Sequence, residues 1–154
     1  MIDFFLKSKY MRVRVAALIQ DSKGKFLLVQ QTKKKSSYWL LPGGGIEFGE
    51  TAVSALEREL REELSLEVTK SEFIFFTESI DPNKNRHLIQ LVFVTKVKDL
   101  IPTLNPKEEA ISGFGYFSSK EIQLMDLRPD TKQYFLSKQK NKPRYIASPW
   151  VAGL

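Results

Sequence analysis

The stretch GGGIEFGETAVSALERELREELSL, residues 43–66, opens on three glycines and runs into a segment crowded with carboxylates. Seven glutamates fall between positions 47 and 67 of a chain whose formal net charge is +6. Positions 51–64 lack Gly and Pro and are rich in Ala, Leu, Glu and Arg, the composition of a helix. Val53, Leu56, Leu60 and Leu64 recur at helical spacing and form the expected buried stripe. Glu59, Glu62 and Glu63 stand at i, i+3 and i+4, so they project from one face. That face is expected to be turned away from the stripe and open to solvent.

Three carboxylates this close raise one another's pKa and weaken the helix unless something positive sits among them. A hard divalent cation such as Mg²⁺ or Mn²⁺ answers the need, because carboxylate oxygens are its preferred ligands. The plain alternative is a solvated helix face supported by i, i+4 ion pairs, here Glu57 with Arg61 and Arg58 with Glu62. The flank favours the metal. Gly43, Gly44 and Gly45 lead through Glu47, Gly49 and Glu50 into the helix, and glycine lets a backbone approach a ligand closely.

These residues resemble the box of the Nudix hydrolase family: Gly, five residues, Glu, seven residues, then Arg-Glu-apolar-x-Glu-Glu-x-Gly-apolar. The chain supplies Gly44, Glu50, Arg58, Glu59, Leu60, Glu62, Glu63, Ser65 and Leu66, matching eight of the nine specified positions. Ser65 is the departure. Just past a helix end glycine accepts the left-handed conformation, and serine there costs roughly 1 kcal/mol if that conformation is kept.

The resemblance implies an α/β (α+β) fold of Nudix type, an α/β/α sandwich whose mixed sheet packs against the carboxylate helix. It implies hydrolysis of a diphosphate bond in a nucleoside diphosphate linked to another group. Glu59, Glu62 and Glu63 would coordinate Mg²⁺ (or Mn²⁺), with Glu59 and Glu62 acting in catalysis, while Glu50 and Arg58 hold the loop against the helix. Family members recruit a further carboxylate ahead of an aromatic pair. PKEEAISGFGYF offers Glu108 and Glu109 before Tyr116 and Phe117, and Glu109 is favoured. Gly44 and Gly45 are candidates for contact with the substrate, Trp39 and Phe48 for stacking on its base; for Trp39, core packing is the competing reading.

A proline about 16 residues beyond the box resembles the ADP-ribose pyrophosphatase branch, and Pro82 falls there, although DPNKN also reads as a plain turn. An ADP-ribose-like substrate therefore ranks ahead of nucleoside triphosphates and dinucleoside polyphosphates. The rival of another class is a non-catalytic nucleotide-binding Nudix sensor, which typically loses box glutamates; all three are present here. Processing of RNA 5′ ends ranks third, since the chain lacks an aromatic-and-basic RNA-binding module.

The rest of the chain frames the box. At 154 residues, with 42% hydrophobic and 27% charged content, a single globular domain over residues 1–154 is expected. Without cysteine there is no disulfide, no thiolate nucleophile and no Cys-type zinc site. Nothing reads as a signal peptide or a membrane span, so a cytoplasmic protein is expected. The basic balance suits an anionic partner such as nucleotide phosphate, and equally serves solubility.

Strands are expected at 12–19, 26–31, 38–42, 73–80, 87–97 and 111–117, the first two as a hairpin around Gly24. A last helix is expected near 130–140 after Pro129. The tail, residues 139–154, is too apolar for a free end. Tyr145, Ile146, Trp150 and Val151 are expected to pack on the domain, at the cleft rim, or in a homodimer.

Overall fold

The computed structural model describes residues 10–136 and 144–151. A five-stranded mixed sheet is built from β1 (Met11–Leu18), β4 (Gly43–Gly45), β5 (Val68–Ile80), β6 (His87–Val97) and β8 (Arg144–Ala147) in the order β4-β1-β6-β5-β8. A three-stranded antiparallel sheet joins β3 (Ser36–Leu40), β2 (Phe26–Lys33) and β7 (Ile111–Phe117) in the order β3-β2-β7. β1 runs parallel to β6 with Met11 opposite His87, and β8 runs parallel to β5.

The expected hairpin between the first two strands does not form a ladder. The chain does reverse at Asp21, whose carbonyl accepts from the Gly24 N–H, with Gly24 at φ 74°. Pairing then stops at a bridge between Gln20 and Phe26, and the strands enter different sheets. Burial explains the divergence. Val15 and Ala17 face one apolar cluster while Ala16 and Leu18 face another, and β2 divides likewise into Leu27 and Val29 against Phe26 and Leu28. Strands apolar on both faces need cover on both sides.

Helix α1 (Ala52–Leu64) supplies the cover for the first cluster. Thr51 caps it: the Thr51 hydroxyl accepts from the Ser54 N–H at 3.1 Å, and the Thr51 N–H donates to the Ser54 hydroxyl at 2.9 Å. The second cluster is closed by α2 (Ser119–Gln123) through Ile122 and by α3 (Lys132–Leu136) through Tyr134 and Phe135. Helices on both sides of the sheets make the α/β/α sandwich. Sequence periodicity did not indicate the five-residue α2, although its Ser118 and Glu121 form a capping box. The expected last helix is found at Lys132–Leu136, and its expected remainder lies outside the described residues.

The buried stripe of α1 is rotated from the one expected. Val53 is exposed, and Ala55, Leu56, Leu60 and Leu64 are buried, joined by Glu63. The helix lies against β4, a strand of three glycines, and small Ala52 and Ala55 let it approach. Glu59 and Glu63 consequently face the glycines and not open solvent. The helix ends in an αL cap, with Ser65 N–H donating to Arg61 O, while Leu66 N–H reaches back to Leu60 O. Ser65 keeps the left-handed conformation, φ 55° and ψ 32°, that glycine would take at lower cost. Among the described residues no helix is long and apolar enough to cross a membrane.

Candidate active site

Arg58 organises the entrance to α1. Its guanidinium forks onto Glu50, Nη2 to Oε1 at 2.7 Å and Nε to Oε2 at 3.1 Å. Nη2 also donates to the Gly45 carbonyl at 3.0 Å, so one side chain ties the loop, the glycine strand and the helix together. This bidentate geometry holds the Glu50 carboxyl below its ordinary range. Nη1 turns the other way, to Glu59 Oε1 at 2.9 Å and Glu62 Oε2 at 3.3 Å.

Glu59 lies half-buried against Gly44. A Cβ at position 44 would overlap the Glu59 carboxylate, so any side chain there would push that carboxylate from its place. Desolvation raises the Glu59 carboxyl, and the hydrogen bond from Arg58 works against that. Glu63 is 6% exposed and accepts from the Gly43 N–H at 3.1 Å. Burial pushes its carboxyl up to about 8; the charge of Arg14 and the Gly43 amide offset part of the penalty. Arg14 is itself buried, and desolvation lowers its pKa, while its Nη2 donates to the carbonyls of Leu41 and Gly43 at 3.2 Å each.

Glu59, Glu63, Arg14 and the three glycines line a cavity of about 1050 Å³. Its remaining walls bring Tyr10, Arg12, Lys33, Tyr38, Asn85, Arg86, His87, Glu108 and Trp150. The loop after β6 is docked on the end of α1, Thr103 N–H to Leu64 O at 2.9 Å and Asn105 N–H to Glu63 O at 3.3 Å. A turn closed by Glu108 N–H to Asn105 O then aims Glu108 at the cavity, where its charge acts on Glu63.

Several candidates are placed differently from expectation. Glu109, the favoured extra carboxylate, is exposed and absent from the wall that holds Glu108, because the turn at Asn105 presents the earlier residue. Trp39 packs edge-on against Phe117, centroids 4.8 Å apart, beside the second core cluster; alternation along β3 sends Tyr38 to the cavity instead. Phe48 is fully exposed and lies outside the cavity lining. Glu62 points outward, its side chain 48% exposed, and leaves Glu59 and Glu63 to face the cavity. Tyr10, Arg12 and Arg86 carried no sequence signal beyond charge and aromaticity, since each comes from a strand end remote from the box, whereas Trp150 takes up one of the places expected for the apolar tail, beside the cleft.

Among the described residues no three acidic or histidine side chains converge as a ready-made metal cluster, because Arg58 holds Glu59 and Glu62. The donor set still fits a hard divalent cation. It consists of carboxyl oxygens from one helix, the buried Glu63 carboxyl lacks enough positive charge to ionise easily, and Gly44 lets the Glu59 carboxylate lie where a side chain would otherwise sit.

Residues 10–138 match the NUDIX domain family. The chain belongs to the Nudix hydrolase family. It is accordingly an enzyme of the class that hydrolyses phosphorus-containing anhydrides. The phosphatase NudJ of Escherichia coli K12 is 33% identical over 113 residues, spanning 73% of this chain and 72% of NudJ. The MutT protein of Methanosarcina mazei Go1 shares the fold, with a TM-score of 0.70 at 22% identity over 84% of this chain and 93% of its own. An ADP-ribose pyrophosphatase of Streptococcus suis does so with a TM-score of 0.62 at 19% identity, covering 88% and 99%. The Nudix match ends at residue 138, so β8 and Trp150 lie beyond it.

Proposed function

We propose that this Nudix domain is a Mg²⁺-dependent (or Mn²⁺-dependent) pyrophosphohydrolase acting on a nucleoside diphosphate derivative, with an ADP-ribose-like compound as the first substrate. The observation that carries the reading is the shared cavity, in which Glu59, Glu63 and Glu108 meet bare glycine backbone and the guanidinium groups of Arg12 and Arg14. Glu59 and Glu63, which face the cavity, would hold the cation, with Glu62 joining them by turning in from its contact with Arg58. Bound there, it would neutralise diphosphate charge and lower the pKa of the attacking water. Arg58 sets the direction of Glu59, and Gly44 and Gly45 let the phosphates reach the carboxylate face. Glu59 or Glu108 is placed to accept a proton from water, each being a carboxylate on the cavity wall.

The ADP-ribose preference rests on the place of Pro82 after the box. Pro82 itself is exposed in the turn between β5 and β6, whose Asn85 and Arg86 reach the cavity. The basic residues Arg12, Lys33 and Arg86 favour a second reading, a nucleoside triphosphate or dinucleoside polyphosphate with more charge than one diphosphate. Both readings place the enzyme in the cytoplasm with a small nucleotide substrate.

The test is a Mg²⁺-dependent hydrolysis panel of ADP-ribose, NADH, diadenosine polyphosphates, 8-oxo-dGTP and plain triphosphates, with products separated by chromatography. ADP-ribose yielding AMP and ribose 5-phosphate fastest supports the first reading; a polyphosphate winning supports the second. Glu62→Gln and Glu63→Gln should each collapse turnover with the fold intact. Full activity in both would remove the carboxylate cage, and binding without turnover in wild type would make the domain a sensor.

A further inference from the structure

We propose that Trp150, carried on the segment beyond the Nudix match, is the stacking platform for the nucleobase, and so a specificity-determining residue of the cavity. This deepens the nucleotide reading and rests on it.

The segment is fastened at several points. β8 pairs with β5 from Arg144 opposite Phe75 to Ala147 opposite Glu78. Beyond the strand, Ser148 N–H donates to Glu78 O at 2.9 Å and the Ser148 hydroxyl donates to Asp130 O at 3.1 Å. The Tyr145 hydroxyl donates to Glu78 Oε2 at 2.9 Å, and Oε1 of the same carboxylate lies 2.8 Å from His87 Nε2. Pro149 then fixes the next φ, so the chain delivers Trp150 to the cavity with little freedom.

Register explains why it arrives there. Ile80 pairs with His87 and His87 with Met11, so the C-terminal ends of β5 and β8 meet the N-terminal ends of β6 and β1. That end of the sheet contributes Tyr10, Arg12, Arg86 and His87 to the cavity. Arg14, beside the glycine strand, lies two residues along β1 from Arg12, about 7 Å. From β1 across β6 and β5 to β8 the sheet spans about 14 Å. A diphosphate at the carboxylates, running past Arg14 and Arg12, thus has its ribose and base directed toward the Trp150 end. An indole there offers any base a flat apolar face.

The probes are ADP and its base-free counterpart ribose 5-diphosphate, titrated by calorimetry into wild type, Trp150→Ala and Trp150→Phe, each with its Tm checked. Trp150→Ala should weaken ADP by about tenfold to a hundredfold, leave the base-free ligand within about twofold, and be largely rescued by phenylalanine. With hydrolysable substrates the loss should fall on KM and spare kcat. Equal ADP affinity in wild type and Trp150→Ala overturns the assignment, as does an equal loss for both ligands, which would make the segment a mere prop. Wild type binding the base-free ligand as tightly as ADP removes the base site while sparing the pyrophosphohydrolase reading. Wild type binding neither ligand sinks that reading and this one together.

Discussion

Glu63→Gln separates what this carboxylate costs the fold from what it contributes to the reaction. Burial lifts the Glu63 carboxyl from 4.5 to about 8. A carboxyl raised in the folded state contributes stability that is full below about pH 4.5 and is lost as the pH climbs to about 8. Each unit corresponds to about 1.4 kcal/mol, and with the curve flattening near each pKa the metal-free protein should lose about 3–4 kcal/mol through this one group between pH 5 and 8. Glutamine does not ionise, and its carbonyl still accepts from the Gly43 N–H. Urea denaturation in EDTA, from pH 5 to pH 8 for both proteins, reads the effect. Taking the difference cancels the other titrating groups. The variant should gain about 3–4 kcal/mol on wild type over that range, which widens the Tm gap by roughly 7–14 °C. Adding Mg²⁺ at pH 8 should narrow the gap by stabilising wild type alone. Parallel pH profiles would refute the claim that Arg14 and the Gly43 amide fall short of compensating the burial of Glu63.

Three further outcomes follow from geometry. Ser65→Gly relieves a left-handed cap and should stabilise the protein by about 1 kcal/mol, read as a small rise in Tm. Gly44→Ala drives a methyl into the Glu59 carboxylate and should cut kcat by about a hundredfold or more, whereas Gly45→Ala, with open space around its Cβ, should fold normally and lose far less. Glu108→Gln should lower kcat by at least about tenfold while Glu109→Gln stays near wild type, since only Glu108 lines the cavity; the reverse ranking would return the role to Glu109.

The parts of the fold legible in the sequence were those set by local pattern. β6 and β7 begin and end where their apolar runs do, and α1 starts at a capped threonine and stops at the glycine-like turn of Ser65. What the sequence hid depends on partners far along the chain. Val53 fits the helical period as well as Ala55 does, and only the glycine strand opposite selects alanine for the inner face. Glu108 and Glu109 are adjacent and chemically alike, so the turn at Asn105 alone separates them. Trp39 sits beside the box in sequence and faces the core, while Trp150, more than a hundred residues on, reaches the cavity through β8. Proximity in the chain was a poor guide because the cavity is assembled at strand ends from both sheets.

The late position of β8 bears on biosynthesis. β5 is a thirteen-residue strand with β6 on one side, and its other side is paired only when residues 144–147 arrive. Until then the edge of β5 is open along its whole length, including Phe75 and Phe76, which β8 comes to pair. Such edges recruit strands from other chains. Strand β8 thus acts as a short seam over Phe75–Glu78, and a message truncated after α3 should yield a protein more prone to aggregate although it retains the entire Nudix box.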